Sequence, residues 1–318
     1  MRNELSISIV IPTFNESEDI EKTLDACVGL DYPSKEIIVV DDSFDNTADI
    51  VKWYAGSGVR LIKRPVNTGG RCGARNDGIR AAKGDIVVIL NADVILPPDF
   101  IRKIIVDYEA GADYVLVNAE VANQDKLFPR FVEAIHRRHY RGLDDYRNAD
   151  WTEGFSCRRE AAIAAGLFPT PPFKLMAGED GFFSQNLKKL GYKKTVDLSI
   201  TVKHYVVHRF GDFWRIEKER VSSVTSFFLD RRSFGEIFVR AVVRTALTVL
   251  SVILIVPMVF VAVDLSRFSS RHFKDVPGFI YAYVVQKSAF IYGKWDSLWD
   301  LGKYLIGRGG RSSRDIKA

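Results

Sequence analysis

The sequence has little cysteine, little histidine and almost no low-complexity linker, and each shortage removes a class of protein. Its three cysteines, Cys27, Cys72 and Cys157, stand far apart with no Cys-x-x-Cys or Cys/His spacing. That pattern excludes a zinc ribbon and a disulfide framework and makes a reduced, cytosolic setting the default. The opening "MRNELSISIVIPTF" holds only a short apolar run ending at Pro12 and no small-residue cleavage pattern, so no signal peptide is expected. No internal repeat is visible, and Gly and Ser gather only in the closing "GRGGRSSRDIKA", which is expected to be loosely ordered. Long uncharged runs are scarce as well. The exception is "TALTVLSVILIVPMVFVAV", Thr245 to Val263, whose 19 residues make about one bilayer crossing.

What is present is 318 residues, 47% hydrophobic and 27% charged, enough for one catalytic domain and an appendage. The formal net charge is +5. The clearest excess of Lys and Arg lies beside the uncharged run and in the tail, which suits a membrane surface and not a nucleic acid. Up to about Phe210, the β-branched runs "SISIVIP", "EIIVVDD", "VRLIK", "DIVVILNAD" and "DYVLVNA" alternate with segments of helical pattern. Near-continuous apolarity fits strands buried on both faces, and the intervening segments are long enough for crossovers. The class is α/β, with a mainly parallel sheet flanked by helices.

In open α/β sheets, ligands sit at the carboxyl ends of the strands. Here those ends read Pro12-Thr13-Phe14-Asn15-Glu16, Asp41-Asp42-Ser43-Phe44-Asp45 and Asn91-Ala92-Asp93. Each has an ordinary structural reading: Asn15 or Ser43 as a helix cap, Asp45 in a first helical turn, Asp93 capping a turn before Pro97. Gathered on one rim, however, carboxylates without enough nearby cations repel one another. A bound divalent cation is one relief.

Five pieces in order carry a resemblance: "SIVIPTFNE" at 8–16, "EIIVVDDSFDNT" at 36–47, "NTGGRCGARNDGIRAAKGDIVVILNAD" at 67–93, "GFSCRREAAIAAGLF" at 154–168 and "GEDGFFSQNLKKLGYK" at 178–193. Together they resemble the family 2 glycosyltransferases with the GT-A nucleotide-sugar fold. The resemblance implies a nucleoside grip at Pro12, Glu16 and Asp42, with Arg71 or Arg75 as a weaker contact near the donor. Asn91-Ala92-Asp93 matches the family's Asp-x-Asp signature, so Asp93 is implied as ligand to a Mg²⁺ or Mn²⁺ ion bridging the donor diphosphate. Asn91 departs from the usual Asp. It loses a charge but keeps an oxygen acceptor and adds amide donors able to meet a ribose hydroxyl.

Glu179 and Asp180 stand where a helical pattern begins, and acids favour that place by about 0.3–1 kcal/mol for electrostatic reasons alone. The resemblance implies more: Asp180 as general base of an inverting transfer, with Glu179 tuning it, and burial beside Phe182 and Phe183 as one cause of a raised pKa. A histidine near the metal is also implied. His204 is preferred and His208 is the alternate, the two sharing a face of the strand-like run "ITVKHYVVHRF". Where processive polysaccharide synthases of the family carry Gln-x-x-Arg-Trp, this chain reads Glu217-Lys218-Glu219-Arg220-Val221, which favours transfer of a single sugar.

Arg231, Arg232, Arg240 and Arg244 precede the uncharged run, so the positive-inside rule puts the catalytic part on the cytoplasmic side of the cell membrane. The expected organisation is a catalytic domain over 1–210, an amphipathic interfacial linker over 211–236, a transmembrane hairpin over 237–295 and a basic cytoplasmic tail over 296–318. The hairpin's arms are about 245–263 and 276–293, with a re-entrant or interfacial second arm as the alternative because Gln286 and Lys287 interrupt it. The expected substrates are a nucleotide-diphosphate sugar, UDP- or GDP-linked, and a lipid-linked acceptor, either polyprenyl phosphate or a lipid-linked glycan. Asn91 motivates a different class, a non-catalytic nucleotide-sugar-binding or scaffold subunit.

Overall fold

The structure is a computed structural model that describes residues 4–65, 69–170, 178–227, 234–253 and 255–307. In chain order the elements are β1 (Ile7–Thr13), α1 (Ile20–Val28), β2 (Lys35–Asp41), α2 (Thr47–Trp53), β3 (Val59–Lys63), α3 (Gly70–Ala81), β4 (Ile86–Ile89), β5 (Val94–Ile95), α4 (Phe100–Glu109) and β6 (Tyr114–Val121). There follow α5 (Leu127–His139), α6 (Leu143–Arg147), β7 (Phe155–Arg158), α7 (Arg159–Ala164), α8 (Glu179–Lys189), β8 (Lys194–His204), α9 (Phe210–Phe227), α10 (Phe234–Ile253), α11 (Ile255–Ser266) and α12 (Val276–Gly307). Two compact units result: one over Met1–Asn123, Tyr140–Lys174 and Glu179–Val206, the other formed chiefly by Gln124–His139 and Val207 onward. The second therefore takes α5 from within the stretch expected to be catalytic.

The first unit is built on one eight-stranded sheet in the order β3-β2-β1-β4-β7-β6-β8-β5. Pairs β1–β2, β1–β4, β2–β3 and β6–β8 are parallel, and β4–β7, β6–β7 and β5–β8 antiparallel, so the sheet is mixed, with parallel pairing in the majority. All three antiparallel pairs involve β5 or β7: β5 has only two residues, and β7, within "GFSCRRE", mixes Ser and Arg with Phe and Cys and leaves no apolar run in the sequence. Every residue of β4 is buried, as its uninterrupted "IVVI" demands, and Ile7, Ile9 and Ile11 of β1 join Val39, Val88 and Leu90 in the main core.

Helix α3 lies on this sheet at unusually close range. A Cβ on Gly78 would stand 2.2 Å from Val10 Cγ1 and 3.2 Å from Val40 Cγ2, so only glycine permits the approach. That approach seats Arg71 and Arg75, one turn apart on the same helix, at the carboxyl ends of the strands.

The second unit packs α5, α9, α11 and α12 around Phe128, Phe131, Phe213, Leu265, Phe279 and Val285. Phe128 stacks on Phe213 at 4.3 Å between ring centroids. Arg130 and Asp275, both buried, form a two-pronged ion pair at 2.9 and 3.0 Å. Helix α9, expected as an interfacial linker, lies along α12: Trp214 Nε1 donates to Ser288 Oγ at 3.1 Å, and Gln286 Nε2 donates to the buried Glu217 at 2.9 Å. Gln286 thus interrupts the second apolar segment because it has a partner within the protein. That segment lies inside a helix of 32 residues running to Gly307; the tail from 308 is outside the described residues.

The uncharged run Thr245–Val263 is not one straight helix. α10 ends at Ile253, α11 begins at Ile255, and their axes meet at 83°. Pro257 is the reason: it offers no N–H to the carbonyl of Ile253, four residues earlier, and its ring collides with that carbonyl. Within the first turn of α11 the same proline is harmless. Among the described residues no single helix is long and apolar enough to cross a membrane, although this bent pair passes by length and composition together.

The contact at Gly78 generates a prediction. Gly78→Ala should destabilise the first unit by about 1–3 kcal/mol through overpacking. Gly56→Ala, with nothing within 4 Å of the added methyl, should leave stability within about 0.5 kcal/mol. Thermal and urea unfolding of the two variants check this, and equal midpoints would mean that α3 can back away from β1.

Candidate active site

The site grows from one side chain. Arg75 is fully buried on α3, and its guanidinium reaches four residues on three stretches of chain: Nη1 donates to Glu179 Oε1 and Asp180 Oδ1, each at 3.0 Å, and Nη2 to Asn91 Oδ1 at 3.1 Å and Thr152 Oγ1 at 2.7 Å. The cation also lies 5.0 Å from the centroid of the Phe168 ring. Asn76, the next residue, fixes that ring's backbone by donating to Phe168 O and accepting from Phe168 N, both at 2.9 Å. Glu179 and Asp180 open α8, as its sequence pattern requires, and so arrive together at the guanidinium.

The Asp180 carboxyl is pushed up to about 7: burial raises it most, Arg75 opposes, and Glu179 and Glu153 add like charge. Phe182 is not the cause of that burial, since it is exposed. Phe183 instead turns inward and stacks on Phe168 at 4.4 Å.

Asp93 lies between β4 and β5. Because β5 pairs with β8 so that Val94 opposes His204, the imidazole Nε2 comes to 3.2 Å from Asp93 Oδ2, and Nδ1 stands 3.7 Å from Glu153 Oε1. Burial works to raise the Asp93 carboxyl, but the His204 ring and Arg71 outweigh it and hold the group below its ordinary value. Glu16 is pushed up to about 8, first by burial and then by Asp93, with Arg71 opposing. Five carboxylates, Glu16, Asp93, Glu153, Glu179 and Asp180, thus act on one another beside two guanidinium groups, Arg71 and Arg75.

On the other side of β1 the two adjacent aspartates differ. Asp41 is saturated by Thr13, Ser43 and Lys63, which makes it structural. Asp42 is paired with buried Arg64 at 3.0 Å through Oδ2, while its buried Oδ1 has no hydrogen-bond partner. Burial raises its pKa against the pull of Arg64. A donor from a ligand would satisfy that oxygen. Nearby, Asn15 adopts φ of 57° and accepts from Phe44 N at 3.0 Å, and the exposed rings of Phe14 and Phe44 meet edge to face at 5.9 Å.

Of the residues singled out from sequence, Asp93, His204, Glu16, Glu179, Asp180, Asn91 and Arg71 are linked by contact or charge. Pro12 and Asp42 stand on β1 and just after β2, at neighbouring strand ends. His208 lies beyond the end of β8 and is exposed. Both terminal nitrogens of Arg75 are taken up by protein groups, whereas Arg71 keeps more than a third of its side chain exposed and lies 3.6 Å from Glu179. Sequence reading missed Thr152 and Glu153. The available signal was position, since Glu153 immediately precedes the piece that starts at Gly154.

Asn91 also gains an explanation. Its oxygen accepts from a guanidinium that already serves two carboxylates, and a third carboxylate there would leave −3 against +1 in a buried cluster. A hard cation fits at Asp93, whose Oδ1 is buried and lacks a hydrogen bond. No cluster of three His, Cys, Asp or Glu groups suited to a metal occurs among the described residues, so ligand oxygens would have to complete the coordination.

Comparison with known proteins bears on the family and the fold. The model for "Glycosyl transferase family 2" matches residues 8–168. A poly-beta-1,6-N-acetyl-D-glucosamine synthase of Staphylococcus epidermidis is 35% identical over 125 residues, covering 38% of this chain and 30% of that protein. An undecaprenyl-phosphate 4-deoxy-4-formamido-L-arabinose transferase of Pectobacterium carotovorum subsp. carotovorum is 32% identical over 152 residues, covering 44% of this chain and 46% of the relative. The matches therefore span less than half the length of these relatives. Among solved structures, the mannosyltransferase PcManGT from Pyrobaculum calidifontis, in complex with GDP-Man and Mn²⁺, superposes with a TM-score of 0.55 at 23% identity, over 71% of this chain and 64% of that one. That likeness is one of fold: a GT-A-like α/β architecture with a mixed sheet and flanking helices.

The cluster around Arg75 predicts two outcomes of unequal size. Arg75→Met leaves Glu179 and Asp180 without their cation and should cost about 3–5 kcal/mol of stability. Asn91→Asp should cost less and should raise the Asp180 pKa further, since like charge disfavours ionisation. Thermal unfolding and carboxyl-carbon NMR titration measure both effects, and an Asn91→Asp protein with an unchanged Asp180 titration would contradict the shared-guanidinium account.

Proposed function

This chain belongs to glycosyl transferase family 2, and from that premise we propose that it is a membrane-associated inverting enzyme. It moves a single sugar from a nucleotide-diphosphate sugar, UDP- or GDP-linked, to a lipid-linked acceptor, polyprenyl phosphate or a lipid-linked glycan. The observation that carries the proposal is Asp180: a carboxyl positioned by Arg75, pushed up to about 7, and electrostatically joined to the residues around Asp93. A general base works best with a pKa near the operating pH. The Asn91 that motivates a non-catalytic reading is accounted for by Arg75, and the carboxylates needed for chemistry are all retained.

In this mechanism Asp42 Oδ1 and the Phe14–Phe44 pair bind the nucleoside, and Arg71 binds the diphosphate. Asp180 takes the proton of an acceptor hydroxyl while that oxygen bonds to the anomeric carbon. The bond from that carbon to the diphosphate breaks, and its electron pair leaves with the nucleoside diphosphate, so no covalent enzyme intermediate forms. A divalent cation, Mg²⁺ or Mn²⁺, held by Asp93 and His204 would supply positive charge to the departing diphosphate. Glu153, beside both His204 and Asp180, orients the imidazole and tunes the base. A phosphate acceptor is already ionised at neutral pH and would need no base, so the tuning of Asp180 favours a hydroxyl. Membrane association at the cell membrane, with the catalytic unit cytoplasmic, is supported by the exposed apolar faces of α10 and α11 and by Arg240 and Arg244 beside them.

Transfer to a lipid-linked acceptor in detergent tests this reading. Asp180→Asn should keep donor affinity and lose turnover by roughly 10²–10⁴-fold. In the wild type the base works only when unprotonated, so kcat should be low in acid and rise with pH through about 7. Wild-type turnover by Asp180→Asn would place the base elsewhere. For the metal, Asp93→Ala should abolish Mn²⁺-dependent donor binding in a calorimetric titration, and equal binding by both proteins would refute the ligand role.

A further inference from the structure

The elbow between α10 and α11 is inverted relative to a helix pair in water. A soluble helix turns its apolar face inward and its polar face out. α10 buries Ile237 and Ala241, but continuing along the same stripe it turns Thr245, Thr248 and Ser251 toward the protein. Thr245 Oγ1 is buried without a hydrogen-bond partner, and Thr248 and Ser251 donate to carbonyls of their own helix. Outside, around the bend, Leu247, Ile253, Ile255, Val256 and Phe260 are between 60% and 72% exposed. Nothing charged stands between Arg244 and Asp264.

Length decides what covers this face. The uncharged arms, 245–253 and 255–263, each have nine residues, or about 14 Å of helix at 1.5 Å per residue. That is close to half the ~30 Å hydrocarbon core of a bilayer. Both arms end in charge. Exposed Arg240 and Arg244 bound the first, while at the second Asp264 is paired with Arg138 at 2.5 Å and is followed by exposed Arg267 and Arg271. α12 adds to the first boundary, because Lys294 is buried enough to lower its pKa and feels the like charges of Arg244 and Lys287. A cluster of cations at the base of an apolar arm suits lipid phosphates.

We propose that the α10–α11 elbow enters a single leaflet of an anionic bilayer and returns to the side it came from, with Arg240, Arg244 and Lys294 at the headgroups. The inference deepens the membrane association proposed above and replaces a crossing with a re-entrant wedge. The facing ends of α10 and α11, Ile253 and Ile255, are then the deepest, and the protein-facing hydroxyls are shielded from hydrocarbon.

Topology is read independently of sugar transfer, by single-cysteine labelling of the full chain in sealed membrane vesicles whose cytoplasmic face is outward. The three native cysteines are buried, which keeps background labelling low. Glu236→Cys and Arg267→Cys should both react with a membrane-impermeant maleimide without permeabilisation. Labelling of position 267 only after permeabilisation would mean that the run crosses, and would overturn the proposal. In flotation with vesicles of phosphatidylcholine and phosphatidylglycerol, the doubly substituted Leu250→Asp/Ile253→Asp protein should bind at least about tenfold less than wild type. Both positions are exposed, so folding should survive, as thermal unfolding of the full-length variant would verify. Wild-type flotation by this variant, or equal binding of the native chain to vesicles lacking phosphatidylglycerol, would also count against the wedge and its headgroup contacts. Loss of transfer with topology intact would instead fault the enzymatic reading alone.

Discussion

A guanidinium closed off from water has to find acceptors for its N–H groups, and the two terminal nitrogens of Arg75 find them on three separate pieces of the chain. Left alone in the interior, the cation would be too costly to bury; left alone, Glu179 and Asp180 would repel each other. Together they fix where α8 begins relative to α3 and to the end of β4. The close approach of α3 at Gly78 makes the reach possible, because a helix held even one methyl farther from β1 would carry Arg75 away from Asn91.

The same arrangement sets the character of the site. Arg75 is consumed by its neighbours and leaves Arg71 as the more accessible cation, so the carboxylates at Glu16, Asp93 and Glu153 exceed the positive charge available to them. Glu16 responds by holding its proton, Asp93 by pairing with His204. A site in this condition gains from any ligand that brings cationic charge, and the buried, unpartnered Oδ1 of Asp93 is where such charge would be felt most. Asp180 differs from the others because a cation and two carboxylates act on it together, which leaves it near the middle of the pH range of a cell.

In the second unit the polar interruptions of α12 are explained by packing. Gln286 answers Glu217 on α9, and Lys287 lies over the rings of Tyr283 and Phe290. Such residues weaken an apolar run when read along the chain, yet they are satisfied within the protein. α10 and α11 are the opposite case, where a run that is apolar throughout leaves much of its surface without a protein partner.

Local pattern was enough to determine the α/β class, the five strands β1 to β4 and β6, the acidic strand ends at Asp41-Asp42 and Asn91-Ala92-Asp93, and the start of α8 at Glu179, because burial on a strand or one face of a helix repeats over neighbouring residues. It was not enough for β5, with two residues, or for β7, whose "FSCR" is no apolar run, and the resulting mixed sheet appeared only with the tertiary structure. Nor could it identify Arg75 as the centre of the site, since Arg75 and Glu179 are 104 residues apart and nothing near either one names the other. The roles of Asn91, Thr152 and Glu153, and the bend that divides Thr245–Val263, were likewise decided by which groups the fold brings within 3–4 Å or forces apart. Charge and hydrogen bonding act through space, and sequence records only the order in which their donors and acceptors are strung.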